Sequence, residues 1–188
     1  MASTMGVEVV SVKTVVLGPR PPELDALIAR RHALGQDRFD EVWEGNYHMV
    51  PAPHFRHAAL DHQLAVLLDT LAGRAGLVPI GSTNVGRAGD FRVPDQLVVR
   101  DPVEDVYQPT AAMVVEILSP EDETFEKFGF YAAHGVDEIL VADPAERIVR
   151  LWALGDAAQG SAREYVEVDR SDLLDIRADD LRDRISWP

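Results

Sequence analysis

Residues 111–142 read AAMVVEILSPEDETFEKFGFYAAHGVDEILVA, and this stretch decides the fold. AAMVVEIL (111–118) is nearly continuous apolar sequence, the pattern of a strand covered on both faces. Ser119-Pro120 ends it, because proline donates no ladder hydrogen bond. Residues 121–134 then read as a helix closing at Gly135. On a helical wheel Phe125, Phe128 and Ala132 share one face. Glu123, Lys127, Tyr131 and His134 share the opposite one, with Phe130 near the polar side. Residues 138–142 are apolar again and read as a second strand. Strand, helix, strand in this order predicts a parallel, right-handed crossover.

Working outward, residues 54–71 form the clearest helix, with Leu60, Leu64, Leu67, Leu68 and Leu71 at three- and four-residue steps and Gly73 and Gly76 closing it. Short strands are expected at 77–80 and 91–99. Residues 39–50 read as a hairpin around Glu44-Gly45-Asn46, because Gly and Asn tolerate the positive φ of a tight turn. Pro51 and Pro53 stop its pairing. A helix fits 23–34, with Pro22 in its first turn, Gly35 at its end and Leu24, Leu27, Ile28 and Leu34 on one buried face. Residues 148–154 and 164–168 look like a closing hairpin. The acidic tail from Asp169 carries Leu173, Leu174, Ile176 and Leu181 and should pack as a short helix or turn. The order predicts an α/β (α+β) protein with one mixed β-sheet flanked by helices, plus an added N-terminal helix and hairpin. No internal repeat is present. With 188 residues the expectation is a single domain, 1–188, with its core at about 39–154.

The composition is that of a globular protein, 46% apolar and 27% charged. No apolar run approaches the roughly 20 residues of a membrane helix, and MASTMGVEVVSVKTVV lacks the basic start and long apolar block of a secretory signal. The absence of cysteine removes disulfides, thiolate metal sites and cysteine nucleophiles. A cytoplasmic location without membrane attachment is therefore expected. The net charge of -14 argues against a broad basic surface for nucleic acid. It is unevenly spread: residues 1–100 carry 11 acids and 10 bases, residues 101–188 carry 21 acids and 8 bases. Only Lys13 and Lys127 are lysines, so work that needs an amine falls to one of two residues.

Two carboxylates fall on expected strands among apolar neighbours, Asp95 in VPDQLVV and Glu116 in VVEIL. A buried carboxylate is costly unless paired, hydrogen-bonded or bound to a cation. Two on neighbouring strands would repel, and a divalent ion with hard oxygen ligands, Mg²⁺ or Mn²⁺, is the simplest relief. Lys127 on the next helix could stabilise a developing negative charge. Each residue also has a plainer reading: a strand carboxylate at an exposed edge, and Lys127 as a surface partner of Glu123. An aspartate, a glutamate on the next strand and a lysine on the following helix is a nuclease-like arrangement. His54 and His57 have zinc-compatible spacing but no third ligand cluster, and read as a solvated face. Gly81, Gly86 and Gly89 form no phosphate-binding fingerprint, because no helix opens behind them.

PDQLVV, VVEILSP and EKFGFYAAHGVDEILVADP, with the hairpin EVWEG and the segment PAPHFRH, resemble the Uma-two family of restriction-endonuclease-like proteins in the PD-(D/E)-x-K nuclease superfamily. The likeness runs from about Phe39 to about Leu154. It implies a helix, three strands, a helix and a strand as core, the order read for 54–142. It matches Asp95 to the metal-binding aspartate and Glu116 to the second acidic ligand. The superfamily lysine stands two residues after that acid; here Leu118 does, and the family places the lysine on the following helix, as Lys127. Glu41 matches a glutamate before the hairpin turn that adds a further carboxylate, and His57 a histidine opening the long helix. The implied activity is Mg²⁺- or Mn²⁺-dependent endonucleolytic hydrolysis of DNA, with Asp95, Glu116, Lys127 and Glu41 as catalytic residues. DNA would meet a local groove bearing His57, Arg56, Arg87 and Arg92, with strongly salt-dependent affinity. A homodimer is expected, with Val9, Val10, Val15, Val16 and Leu17 as interface candidates. The other function class is a nuclease fold without catalysis, serving as a binding or assembly module.

Overall fold

The protein is described here as a computed structural model covering residues 14–16, 21–120, 123–156 and 162–188. In chain order its elements are β1 (Thr14–Val16), α1 (Pro22–Ala33), β2 (Glu41–Trp43), β3 (Asn46–Met49), α2 (Phe55–Arg74), β4 (Val78–Gly81), β5 (Asn84–Arg87), β6 (Asp90–Arg92), β7 (Gln96–Val99), β8 (Tyr107–Gln108) and β9 (Met113–Ile117). A 3₁₀ turn (Thr124–Lys127) leads into α3 (Phe128–Ala133), followed by β10 (Glu138–Asp143), β11 (Ile148–Leu154), β12 (Tyr165–Val168), β13 (Arg170–Ser171), β14 (Ile176–Arg177) and α4 (Ala178–Arg182).

The expected parallel pair is present. β9 and β10 run parallel in register, with Glu116 opposite Val141. They lie in the middle of a mixed sheet of order β12-β11-β10-β9-β7-β4, whose other pairings are antiparallel. Strand side chains alternate between faces, and a core forms on each. Val98, Met113, Val115, Ile117 and Leu140 pack against Leu60, Leu64, Leu68 and Leu71 of α2 and against Leu174, Ile176 and Leu181 of the tail. Leu97, Val99, Val114, Ile139 and Val141 pack on the other face against Tyr131 and Val136, at and after α3. Glu116 shares that second face by parity with Val114.

One sheet was expected; among the described residues two six-stranded sheets form, beside the small β13-β14 pair, and the division between the two large ones lies in one residue. The apolar run 91–99 reads as a single strand, but Pro94 cuts it. β6 stays with the hairpin strands in a second sheet of order β1-β3-β2-β6-β5-β8, while β7 joins the central sheet. Val93-Pro94-Asp95 is the crossing point. Asp95 therefore stands at a bend just before its strand, anchored by its amide to the Val115 carbonyl at 3.0 Å.

Other differences are local. The hairpin turns on Glu44 and Gly45, with φ of 49° and 88°, and Asn46 already belongs to β3. The segment expected as a helix over 121–134 is a 3₁₀ turn and a short helix among the described residues. The leucine face of α1 is not buried: Leu27 is 44% and Leu34 58% exposed. Of the suggested interface residues, Val9, Val10 and Leu17 lie outside the described residues, and Val15 and Val16 pair with β3.

Candidate active site

The site forms where the chain crosses between sheets. Asp95 is fixed from two sides. Its Oδ2 accepts from the Ile117 amide at 2.7 Å, one residue past Glu116. Its Oδ1 lies 2.8 Å from His57 Nε2, in the first turn of α2. The other ring nitrogen, Nδ1, is 3.1 Å from Ser119 Oγ, just after β9. His54 Nδ1 accepts from the Arg56 amide at 3.3 Å, so the helix start that presents His57 is capped. One turn on, burial pushes the Asp61 carboxyl up, while Gln96 Nε2 donates to its Oδ1 at 2.6 Å.

Glu116 and Glu41 meet across Lys127. The Lys127 ammonium lies 3.2 Å from both Glu116 oxygens and 3.0 Å from Glu41 Oε1. All three side chains are largely buried: 5% exposed for each glutamate and 12% for the lysine. Further donors reach both carboxylates. The Tyr131 hydroxyl donates to Glu116 Oε1 at 2.5 Å. Trp43 Nε1 donates to Glu41 Oε2 at 2.6 Å, and the Val93 amide, freed by the break at Pro94, to Glu41 Oε1 at 2.8 Å.

These surroundings set the charge states. Burial pushes the Glu116 carboxyl up to about 8 against the pull of the Lys127 ammonium, and the Asp95 and Glu41 charges push the same way as burial. Burial opposes the Lys127 ammonium, but the Glu116 and Glu41 carboxylates outweigh it and hold the amine protonated, its pKa raised. The Tyr131 phenol is driven well above its ordinary value by burial and by both carboxylates, so it remains a donor. The result is a fixed cation between two acids, with Asp95 beside them, in a water-poor recess.

The structure thus brings Asp95, Glu116, Lys127, Glu41 and His57 together. His57 is not on a solvated face; it packs against Asp95. The expected Lys127–Glu123 pairing gives way to Glu116 and Glu41, while Glu123 Oε2 lies 3.6 Å from His48 Nδ1. Arg56 and Arg87 are exposed, on α2 and at the end of β5. Arg92 is a correction: expected in a DNA-binding groove, it is only 5% exposed. Its guanidinium lies between the Trp43 and Phe130 rings at 4.4 and 4.0 Å, and Nη1 donates to the Val42 carbonyl at 2.9 Å. His48 stacks on the far side of Trp43 and His134 on the far side of Phe130, which makes a continuous stack joining the second sheet to α3. Tyr131, Trp43 and Ser119 are site neighbours that sequence reasoning did not select. Tyr131 had a signal, since it lies one helical turn from Lys127 on the same wheel face.

Among the described residues no group of three or more His, Asp or Glu is gathered to hold a metal ion. The donor chemistry at Asp95 and Glu116 nevertheless suits a hard divalent cation: their carboxylate oxygens are hard acceptors with lone pairs beyond their present hydrogen bonds, and the ionised form of Glu116 is disfavoured by burial.

The chain has relatives in fold and in family. No curated protein matches the chain. Among solved structures, one described as a putative nuclease belonging to DUF820 from Anabaena variabilis superposes with a TM-score of 0.58 at 17% identity, over 77% of this chain and 90% of that one. That likeness is one of fold, a restriction-endonuclease-like mixed sheet flanked by helices. The model of the Uma2 family, described as "Putative restriction endonuclease", matches residues 25–179, from α1 into α4. With that span covering every site residue and every strand but β1, the chain belongs to the Uma2 family of nuclease-like proteins.

Proposed function

We propose that the protein is a metal-dependent endonuclease that hydrolyses DNA phosphodiester bonds in the cytoplasm. The observation that carries this reading is the convergence of Asp95, Glu116 and Lys127 at the crossing between the sheets. Asp95 and Glu116 would hold Mg²⁺ or Mn²⁺, which when bound lowers the pKa of a water and neutralises the attacked phosphate. The chain's own groups do the rest. The Ile117 amide and His57 hold the Asp95 carboxylate in one orientation. Tyr131 holds Glu116 from behind. Glu41 keeps Lys127 protonated and aimed, so that the ammonium offsets the charge developing on the phosphoryl oxygens. This assigns Glu41 to the lysine, beside the auxiliary ligand role that the resemblance implies.

The test is cleavage of plasmid DNA by purified protein with Mg²⁺ or Mn²⁺. Asp95→Ala and Lys127→Ala should each abolish it, and full activity surviving in both would sink the assignment. The second reading is a binding or assembly module without catalysis. It is favoured by the saturation of the Lys127 ammonium by two acids, which leaves the amine committed within the protein. Calorimetric titration with Mn²⁺ separates the two, because the module requires no ion at Asp95. A homodimer belongs to the same proposal, and the exposed leucines of α1 offer a contact face for it.

A further inference from the structure

Beside the site lies a cavity of about 210 Å³ that the proposed chemistry does not use. Leu118, Val141 and Ile148 line it with apolar surface, Phe125 forms one wall, and Asp143, Glu146 and Arg150 complete its rim. Its place is fixed by strand register. Val141 pairs with Glu116 across β9 and β10, and Arg150 pairs with Val141 across β10 and β11. The cavity therefore begins one strand, about 5 Å, from the Glu116 backbone. Phe125 stands two residues before Lys127 on the same turn. It is 50% exposed, with its ring held edge-on against Trp152 at 5.9 Å and tilted against Phe128 at 5.4 Å.

We infer that this cavity receives one unpaired nucleobase next to the scissile phosphate, stacked on Phe125, so that the preferred substrate is single-stranded or locally unpaired DNA. The inference rests on the nuclease reading and adds the substrate class to it. Three observations carry it. A half-exposed aromatic ring held in place by two others is the platform that base stacking uses, and such stacking tolerates any base. The cavity adjoins the site, because Val141, which lines it, is paired with Glu116 on the neighbouring strand. The rim charge favours a base over a phosphate: Asp143 and Glu146 outnumber Arg150, which also lies 3.8 Å from Glu167, and both acids can accept from the exocyclic amines of adenine, cytosine or guanine. Asp143 Oδ1 already accepts the Ala145 and Glu146 amides, which fixes that rim. Stacking also answers the shortage of cations, because it needs none.

The experiment compares a single-stranded oligonucleotide with a blunt hairpin of the same sequence, by fluorescence anisotropy in EDTA and by cleavage with Mn²⁺. The wild type should favour the single strand by about tenfold or more in both affinity and kcat/KM, the size that one stacked base supplies. Phe125→Ala, a change at a half-exposed ring, should shrink that ratio below about threefold, and Ile148→Trp, which fills the cavity, should do the same. A wild type that treats both substrates alike, or a preference that survives both substitutions, overturns the inference. A single-strand preference in binding that depends on Phe125, with neither substrate cut, supports the cavity and fails the nuclease reading alone.

Discussion

Lys127 has three ammonium hydrogens and three carboxylate oxygens within 3.2 Å. Its removal would leave Glu116 and Glu41 buried and facing each other. Breaking a buried ion pair from one side costs about 3–5 kcal/mol. Lys127→Met should therefore lower the stability of the metal-free protein by about that much in urea denaturation, besides ending cleavage. The cost should grow with pH, because Glu116 loses its counter-charge as it ionises. The titration of Glu116 gives a second expectation with a definite sign. Its carboxyl rises from the ordinary 4.5 to about 8 on folding. Between those values the native state binds the proton that the unfolded state has lost, so this contribution to stability is complete below about pH 4.5 and disappears as pH rises through about 8. Metal-free Glu116→Gln should lack that part of the pH slope, and a wild-type slope unchanged in the variant would refute the assignment. Asp95 and Glu116 stood out in the sequence because a carboxylate among apolar strand residues has few uses, and Lys127 because it is one of only two lysines and follows them on the next helix. Tyr131 and Trp43 were not, since a ring that donates to a buried carboxylate looks the same in sequence as a ring that fills the core.

At the scale of elements, Pro94 and Gly86 decide what the alternation pattern could not. The run 91–99 has the composition of one strand, and only the missing donor at Pro94 splits it between two sheets and frees the Val93 amide for Glu41. Gly86 in β5 has φ of +118°, and a Cβ there would stand 2.6 Å from the Asp90 carbonyl oxygen and 2.8 Å from the Phe130 ring. That ring covers Arg92, so the glycine seats the stack that ties the second sheet to α3. Gly86→Ala should cost about 2–4 kcal/mol from backbone strain and overpacking together, read as a fall in thermal midpoint, and an unchanged midpoint would contradict this packing. The same glycine offered no phosphate fingerprint; its spacing reflects a close approach between elements. The parallel pair 113–142 and the closing hairpin, which are strands of the central sheet, and the helix after Pro53, which packs on it, were plain in the sequence because each buries apolar residues at a regular spacing. The face of α1 was misread for the converse reason: leucine periodicity says which residues share a face, and not whether this chain covers it.

Over the whole molecule, the net charge of -14 constrains how any nucleic acid could be held. Splitting the chain located ten bases in the first hundred residues and suggested a groove bearing Arg56, Arg87 and Arg92, with steep salt dependence. The fold takes Arg92 out of that set by burying it between Trp43 and Phe130, where it ties the second sheet to α3. No helix among the described residues is long and apolar enough to cross a membrane. With Arg56 and Arg87 left from the proposed set, few phosphates can be neutralised. Each neutralised phosphate contributes about 0.7–0.9 to the slope of log affinity against log salt, so the slope should be no steeper than about -2. Anisotropy titrations between low and physiological salt measure it directly. The double variant Arg56→Ala with Arg87→Ala should bring the slope close to zero, while the preference for unpaired strands, which rests on Phe125, persists. A slope much steeper than this in the wild type would mean that cations elsewhere on the surface grip the backbone. It would restore electrostatics as the main source of affinity, in spite of the surplus of acids after residue 100.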